Sequence, residues 1–229
     1  MPTYNEAENL PQIVPALLSL GIEGLNILVV DDNSPDGTGQ VAEELRLKYP
    51  GRVEVLHRGR KLGLGTAYVT GFAHALAQGA DYIFEMDADF SHPPEMVRTF
   101  LQKIVDCDVV VGSRYTLGGA LDPKWSLWRR FLSWGGNVYA RLVTGLKVRD
   151  TTAGFKCFRR QVLESLDLSR IHSDGYAFQV EMAYLCQKKG FRVVEVPITF
   201  LDRTHGQSKM SFRIIWEAMW RVWQLKWRD

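Results

Sequence analysis

Short apolar runs alternate with amphipathic stretches through the first 120 residues, and each run ends in polar residues. Residues 25–30 lead into Asp31-Asp32, residues 82–86 into Asp87-Ala88-Asp89, and residues 108–111 into Gly112-Ser113-Arg114. Apolar runs of this length, bounded by turn residues, predict buried strands, with a further strand at 53–57. The stretches between them, 37–49, 64–78 and 94–105, predict helices. Strand–helix alternation with short links calls for an α/β fold, a mainly parallel sheet flanked by helices on both faces. Such sheets bind ligands beyond the carboxyl ends of their strands. The three polar clusters are therefore expected along one sheet edge.

Beyond residue 120 the pattern changes. Residues 125–145 predict a long helix rich in Trp and Arg, 160–166 and 176–189 two more helices, and 191–201 a strand. The polar stretch 202–210 (DRTHGQSKM) reads as a mobile loop. Residues 211–227 read as an amphipathic C-terminal helix carrying Trp216, Trp220, Trp223 and Trp227. No repeat or linker divides the chain, so residues 1–229 are expected to form a single domain, with 203–229 a mobile loop plus an interfacial helix. At the other end, Asn5 followed by Glu8 reads as a helix N-cap with its box partner. A loop entering a helix there needs a strand to feed it. A first strand is thus expected to be missing, or the start to lie too late.

Composition narrows the partners. With 24% charged and 46% hydrophobic residues the chain belongs among folded globular proteins, and a net charge of +2 is too small to argue for nucleic acid. Within residues 124–160, Lys124, Arg129, Arg130, Arg141, Lys147, Arg149, Lys156, Arg159 and Arg160 face the single acid Asp150. That excess suits an anionic partner or a solvated basic face. Cys107, Cys157 and Cys186 are too far apart for a zinc site or a disulfide framework, and suit a reducing compartment. No run of about 18 apolar residues is present to span a bilayer.

Asp87 and Asp89 offer hard carboxylate oxygens of the kind Mg2+ and Mn2+ take together with substrate phosphate oxygens. In an extended backbone the two side chains fall on one side. The alternative is a pair of turn acids. Gly63-x-Gly65 lacks the third glycine of a dinucleotide fingerprint and does not directly follow its strand, which argues against an NAD-dependent oxidoreductase.

The motifs PTYNE (2–6), VVDDNSPDGT (29–38), LGLGTA (62–67), EMDADFSHPP (85–94), VGSRY (111–115) and TAGFKCFRR (152–160) occur in this order. Together they resemble the inverting family 2 glycosyltransferases of GT-A fold, and within them the dolichol-phosphate (polyprenol-phosphate) mannose synthases. The resemblance covers essentially the whole chain, apart from the family's first strand, expected just before PTYNE. It implies transfer of mannose from GDP-mannose to a dolichyl or polyprenyl phosphate, with Mg2+ or Mn2+ as cofactor. A neighbouring reading keeps the fold and changes the donor, for example to UDP-glucose. A non-catalytic membrane-binding or nucleotide-sensing module would not need these motifs together.

The resemblance also implies roles. Pro2, Tyr4, Glu6, Asp32, Asp87, Ala88 and Asp89 would contact the donor nucleotide sugar, and Asp89 with Ser91 the metal. Glu6 also suits a first helical turn, and Asp32 a turn cap. A lipid monophosphate is largely dianionic at neutral pH and needs no general base. The site must hold it in line with the sugar C1, a task that suits Arg114, Arg129, Arg130 and Ser133. The four-residue spacing of Arg129 and Ser133 puts them on one helix face. Arg129 and Arg130 also suit a membrane surface, and RRxxS a kinase-type site. Arg203 and Lys209 would neutralise the leaving diphosphate, with Gly206 as hinge. That makes Asp89, Arg114 and Arg203 the expected catalytic residues. Asp150 and residues 179–181 match positions lining the sugar pocket, and His92 and His205 need no catalytic role. The Trp-rich helices suit the headgroup level of a bilayer or packing on the core. Peripheral attachment to the cytoplasmic face of a membrane follows, a prokaryotic plasma membrane or the endoplasmic reticulum, with or without a separate small membrane subunit.

Overall fold

A computed structural model describes residues 1–171, 173–202 and 212–227, with side chains of 212–218 left aside. Its elements run β1 (Pro2–Thr3), α1 (Leu10–Leu18), β2 (Ile27–Asp31), α2 (Thr38–Lys48), β3 (Val53–His57), α3 (Leu64–Ala77), β4 (Tyr82–Glu85) and α4 (Met96–Lys103). There follow β5 (Val109–Ser113), β6 (Ala120–Leu121), α5 (Leu127–Thr144), β7 (Lys156–Arg159), α6 (Arg160–Ser165), α7 (Gly175–Lys188), β8 (Val193–Pro197), β9 (Thr199–Phe200) and α8 (Phe212–Lys226).

Strands β1-β2-β3 pair in parallel, and β4-β7-β5-β8 form a second group, with a small β6-β9 pair besides. The predicted alternation up to β5 is present. Strand β7, which the sequence reading did not single out, lies antiparallel between β4 and β5. Alternation along the strands builds two cores. Val110 and Cys157 point with Phe100 and Phe155 toward α1 and α4, while Val109, Val111 and Phe158 point with Phe72, Leu163 and Phe178 toward α3, α6 and α7. Helix α8 covers α5 and α7 through Val222 and Leu225 against Ala140 and Val180.

Residues 2–3 form a strand stub, with Pro2 paired to Val30 and Thr3 to Asp31. Two local expectations are corrected. Asn5 is not a helix cap. It sits at φ +64 in a turn, and α1 starts at Leu10 after Asn9. The predicted strand 191–201 is broken at Ile198 into β8 and β9.

Candidate active site

The run DDNSPDGT is a frame for the loop after β1. Asp31 accepts hydrogen bonds from the Ser34 N–H (3.2 Å) and hydroxyl (2.5 Å), and Asp36 from the Thr38 N–H (3.0 Å) and hydroxyl (2.6 Å). These turns then receive the loop. The Asn5 N–H donates to Ser34 Oγ (3.1 Å), Glu6 N–H to Thr38 Oγ1 (2.8 Å) and Ala7 N–H to Asp36 (3.2 Å). Pro2, Tyr4 and Glu6 are thereby set at the carboxyl ends of β1 and β2. Lys61 Nζ lies 3.6 Å over the Tyr4 ring, a cation–π contact, and Glu6 accepts from Asn9 Nδ2 (2.6 Å).

Asp32 anchors the next loop. It pairs with Arg58 at 2.9 Å, both side chains buried, and accepts from the N–H groups of Leu62 and Gly63. The glycines of LGLGTA are explained by close approach. A Cβ on Gly63, at φ +101, would lie 2.4 Å from the Asp174 carboxylate, and one on Gly65 would lie 2.3 Å from the Ser173 carbonyl oxygen. Asp174 instead accepts from the Gly65 N–H at 2.8 Å.

Past β4 the backbone leaves the strand before the aspartates, so the expected extended DxD is corrected. Residues 88–92 form bends, and Phe90 is held at φ +61. Asp87 accepts from the Tyr68 hydroxyl (3.3 Å), and Asp89 from the Ser91 N–H (3.0 Å). Ala88 is buried in the core. The Ser91 hydroxyl is fully buried and has no hydrogen-bond partner among the described residues. His92 stacks on Phe155 and accepts from the Asp87 N–H through Nδ1, which leaves its proton on Nε2. Burial pushes the His92 imidazole below its usual range, opposed by Asp87 and Asp89. A histidine in this role packs and orients the acidic loop.

Two carboxylates and an orphaned buried hydroxyl suit a hard divalent ion that completes its shell from substrate oxygens. Among the described residues no group of three or more His, Cys, Asp or Glu could hold one alone. Beneath the loop, buried Lys156 donates to Glu85 (3.3 Å), to the Ala153 carbonyl (2.6 Å) and to Gln179. Burial raises the Glu85 carboxyl above its usual range, with Lys156 pulling the other way.

Arg114, at the end of β5, is buried and grips Asp150 through Nε (2.7 Å) and Nη2 (2.6 Å), while its N–H also reaches Asp150 (2.9 Å). Burial opposes its charge, but the Asp150 carboxylate more than restores it and raises the guanidinium pKa. Its Cζ lies 5.3 Å from the Phe200 ring, whose other neighbours are His92 (5.5 Å) and Trp125 (5.7 Å). Phe200 thus draws the β4 loop, the β5 end and the start of α5 together. Arg129 lies 3.8 Å over Trp125 and pairs with Asp202. Ser133 accepts from the Tyr115 hydroxyl at 2.7 Å. Arg130 is turned to the carbonyls of Asp122, Pro123 and Trp125, where it braces the entry to α5.

The three polar clusters therefore meet at one edge. The basic stretch 124–160 does not form one face, since Lys156 is buried and Arg159 binds the carbonyls of Ile104, Val105 and Cys107. Arg203, His205, Gly206 and Lys209 lie outside the described residues. Tyr68 and Arg58 were missed in the sequence, and Lys156 was read there only as part of a basic stretch, because their partners lie 19, 26 and 71 residues away along the chain. No helix among the described residues is long and apolar enough to cross a membrane. Exposed aromatics gather on α5 (Trp128, Phe131, Trp134) and on α8 and the turn just after it (Trp220, Trp223, Trp227).

Comparison with known proteins places this geometry. Residues 1–167 match the family described as "Glycosyl transferase family 2". A polyprenol monophosphomannose synthase of Mycolicibacterium smegmatis is 48% identical over 97% of this chain and 83% of its own. An undecaprenyl-phosphate mannosyltransferase of Micrococcus luteus is 45% identical over 97% of this chain and 90% of its own. Among solved structures, mannosyl-3-phosphoglycerate synthase from Rubrobacter xylanophilus superposes with a TM-score of 0.69 at 19% identity, covering 99% of this chain and 71% of that one. Glucosyl-3-phosphoglycerate synthase from Mycobacterium tuberculosis, in complex with Mn2+, UDP and glucosyl-3-phosphoglycerate, gives 0.67 at 17% identity, covering 98% and 76%. These two share the fold alone. The chain belongs to glycosyl transferase family 2 and has the GT-A fold, so it is a glycosyltransferase.

Proposed function

We propose that the protein transfers mannose from GDP-mannose to a polyprenyl or dolichyl phosphate with inversion, at the surface of a membrane. The observation that carries this reading is the meeting, around Phe200, of the Asp87–Ser91 loop with Arg114 and the start of α5. The names of both mannosyl-transferring relatives support the sugar and the acceptor class. In the reaction an oxygen of the acceptor phosphate forms a bond to the sugar C1. The bond from C1 to the donor diphosphate breaks, and GDP leaves with the electron pair. No proton need be removed from the attacking dianion.

Asp89 and Ser91, with Asp87 beside them, are the residues to hold Mg2+ or Mn2+. When bound, the ion would neutralise charge on the leaving diphosphate. Tyr4, Pro2, Glu6 and Asp32 border the nucleotide. Arg114, fixed by Asp150, is the central cation on the acceptor side, with Arg129 and Ser133 on α5. Arg130 supports them through the backbone rather than by direct contact. Arg203 and Lys209 remain the residues proposed to face the diphosphate. The exposed tryptophans of α5 and α8 would seat the enzyme at headgroup level on the cytoplasmic face, beside its lipid acceptor.

The test offers radiolabelled GDP-mannose, UDP-glucose and UDP-galactose with a polyprenyl phosphate and Mg2+ or Mn2+. Mannolipid from GDP-mannose, lost in Asp89→Ala and weakened in acceptor KM by Arg129→Ala, is the expected result. Transfer from UDP-glucose alone would overturn the donor assignment. Full turnover by Asp89→Ala in saturating Mn2+ would overturn the metal site.

A further inference from the structure

On α5, Trp134, Asn137, Val138 and Arg141 recur at the i, i+3, i+4, i+7 spacing of one helix face. With Tyr115 and Arg149 they line a pocket of about 150 Å3. The uncharged polar groups of this pocket are already engaged. Asn137 Oδ1 accepts from the Thr151 N–H (2.7 Å) and hydroxyl (2.8 Å), and its Nδ2 donates to the Ser133 carbonyl (2.9 Å). The Tyr115 hydroxyl donates to Ser133. Two guanidiniums remain. Arg141 and Arg149 are both exposed, and among the described residues neither side chain has a hydrogen bond or ion pair. The Glu195 carboxylate does not pair with Arg149; it accepts from the N–H groups of Arg149 (2.9 Å) and Asp150 (3.0 Å).

Two like charges lining one pocket repel each other, and an anion bound between them turns that repulsion into attraction. Guanidinium forks match the oxygens of a phosphate. The surroundings select which phosphate. Trp134 belongs to an exposed aromatic stripe on α5, with Phe131 at 6.3 Å between ring centroids and Trp128 a further 5.8 Å along. Indole rings flanked by arginines suit the depth of lipid headgroups. A polynucleotide backbone would call for a row of cations in place of that stripe. We infer that the pocket holds the headgroup phosphate of an anionic bilayer phospholipid, of the phosphatidylglycerol type. The inference rests on the membrane seating proposed above and gives it a fixed point. Tyr115 joins the pocket to the acceptor side, since its ring lies 5.5 Å from the Arg114 Cζ and its hydroxyl reaches Ser133 at 2.7 Å. A phospholipid held by Arg141 and Arg149 sets the headgroup plane one side chain away from the cation proposed for the acceptor phosphate.

The test measures co-sedimentation of the full chain with vesicles of phosphatidylcholine alone and of phosphatidylcholine mixed with phosphatidylglycerol. The parent is compared with Arg141→Gln/Arg149→Gln and with Lys48→Gln/Lys103→Gln, which removes the same charge from α2 and α4. The arginine variant is expected to lose affinity for the mixed vesicles roughly 30-fold, the effect of two basic side chains at an anionic surface. Its affinity for neutral vesicles and its Tm should stay close to the parent's, because neither guanidinium is bonded within the fold. The lysine variant should bind mixed vesicles within about threefold of the parent, its charges lying beyond the screening length from the lipid. Inorganic phosphate, titrated calorimetrically without vesicles, separates a dissolved anion from a lipid. Phosphate binding lost in the arginine variant while its vesicle binding is unchanged would overturn the lipid assignment. Equal losses in the two variants would reduce the effect to net charge and overturn the pocket. A parent that binds both kinds of vesicle equally would overturn the pocket and leave the membrane seating standing, and one that binds neither would overturn both.

Discussion

Replacing Asp150 by alanine tests whether the acceptor-side cation is held by this carboxylate. Arg114 and Asp150 keep only 7% and 0% of their side-chain surface exposed. The substitution removes the acceptor of three hydrogen bonds, at 2.6, 2.7 and 2.9 Å, and among the described residues leaves Arg114 only the Thr152 hydroxyl at 2.8 Å. A charge buried without its partner costs about 3–5 kcal/mol. For a chain of this size that lowers Tm by roughly 6–20 °C, at about 2–4 °C per kcal/mol. Urea denaturation and calorimetry measure it directly. The double variant Arg114→Leu/Asp150→Leu, which leaves no charge behind, should recover to within about 1 kcal/mol of the parent while remaining inactive. In Asp150→Asn, KM for polyprenyl phosphate should rise more than KM for the donor, since the guanidinium loses its orientation. An Asp150→Ala variant within about 1 kcal/mol of the parent, or a double variant no more stable than the single, would refute the reasoning.

Gly65→Ala drives a methyl group onto the Ser173 carbonyl, 2.3 Å away, and should cost about 1–3 kcal/mol and raise the donor KM. The triple change Trp220→Ser, Trp223→Ser, Trp227→Ser removes side chains from residues that are 59%, 45% and 68% exposed. It should leave Tm within a few degrees of the parent and reduce co-sedimentation with lipid vesicles; undiminished binding would place the membrane contact elsewhere.

Much of this molecule was legible in the chain itself. Periodicity placed β3 at its observed bounds and α3 within one residue, because the patterns of 2.0 and 3.6 residues are local properties of a strand or helix. The acidic and basic clusters at the ends of β2, β4 and β5 fell on one edge as the strand–helix alternation required. Residues 152–160 were legible only as a motif. Nothing local tells an antiparallel strand inserted between β4 and β5 from any other short apolar run, and its place is decided by hydrogen bonds to both neighbours.

The roles of individual side chains were decided further from sequence still. Arg114 and Asp150 are 36 residues apart, Glu85 and Lys156 are 71, and Gly65 and Asp174 are 109. The first two pairs exist because the packed sheet brings them into a dry place, where a charge must find a partner, and the third because α3 and the loop before α7 approach closely. Arg130, chosen for its charge, spends its donors on three carbonyls, and Ser91, chosen as a ligand, keeps a buried oxygen with no partner among the described residues. Residue type and spacing determined which groups stand at the site edge. Burial, a property of the assembled tertiary structure, decided which of them are spent holding the fold.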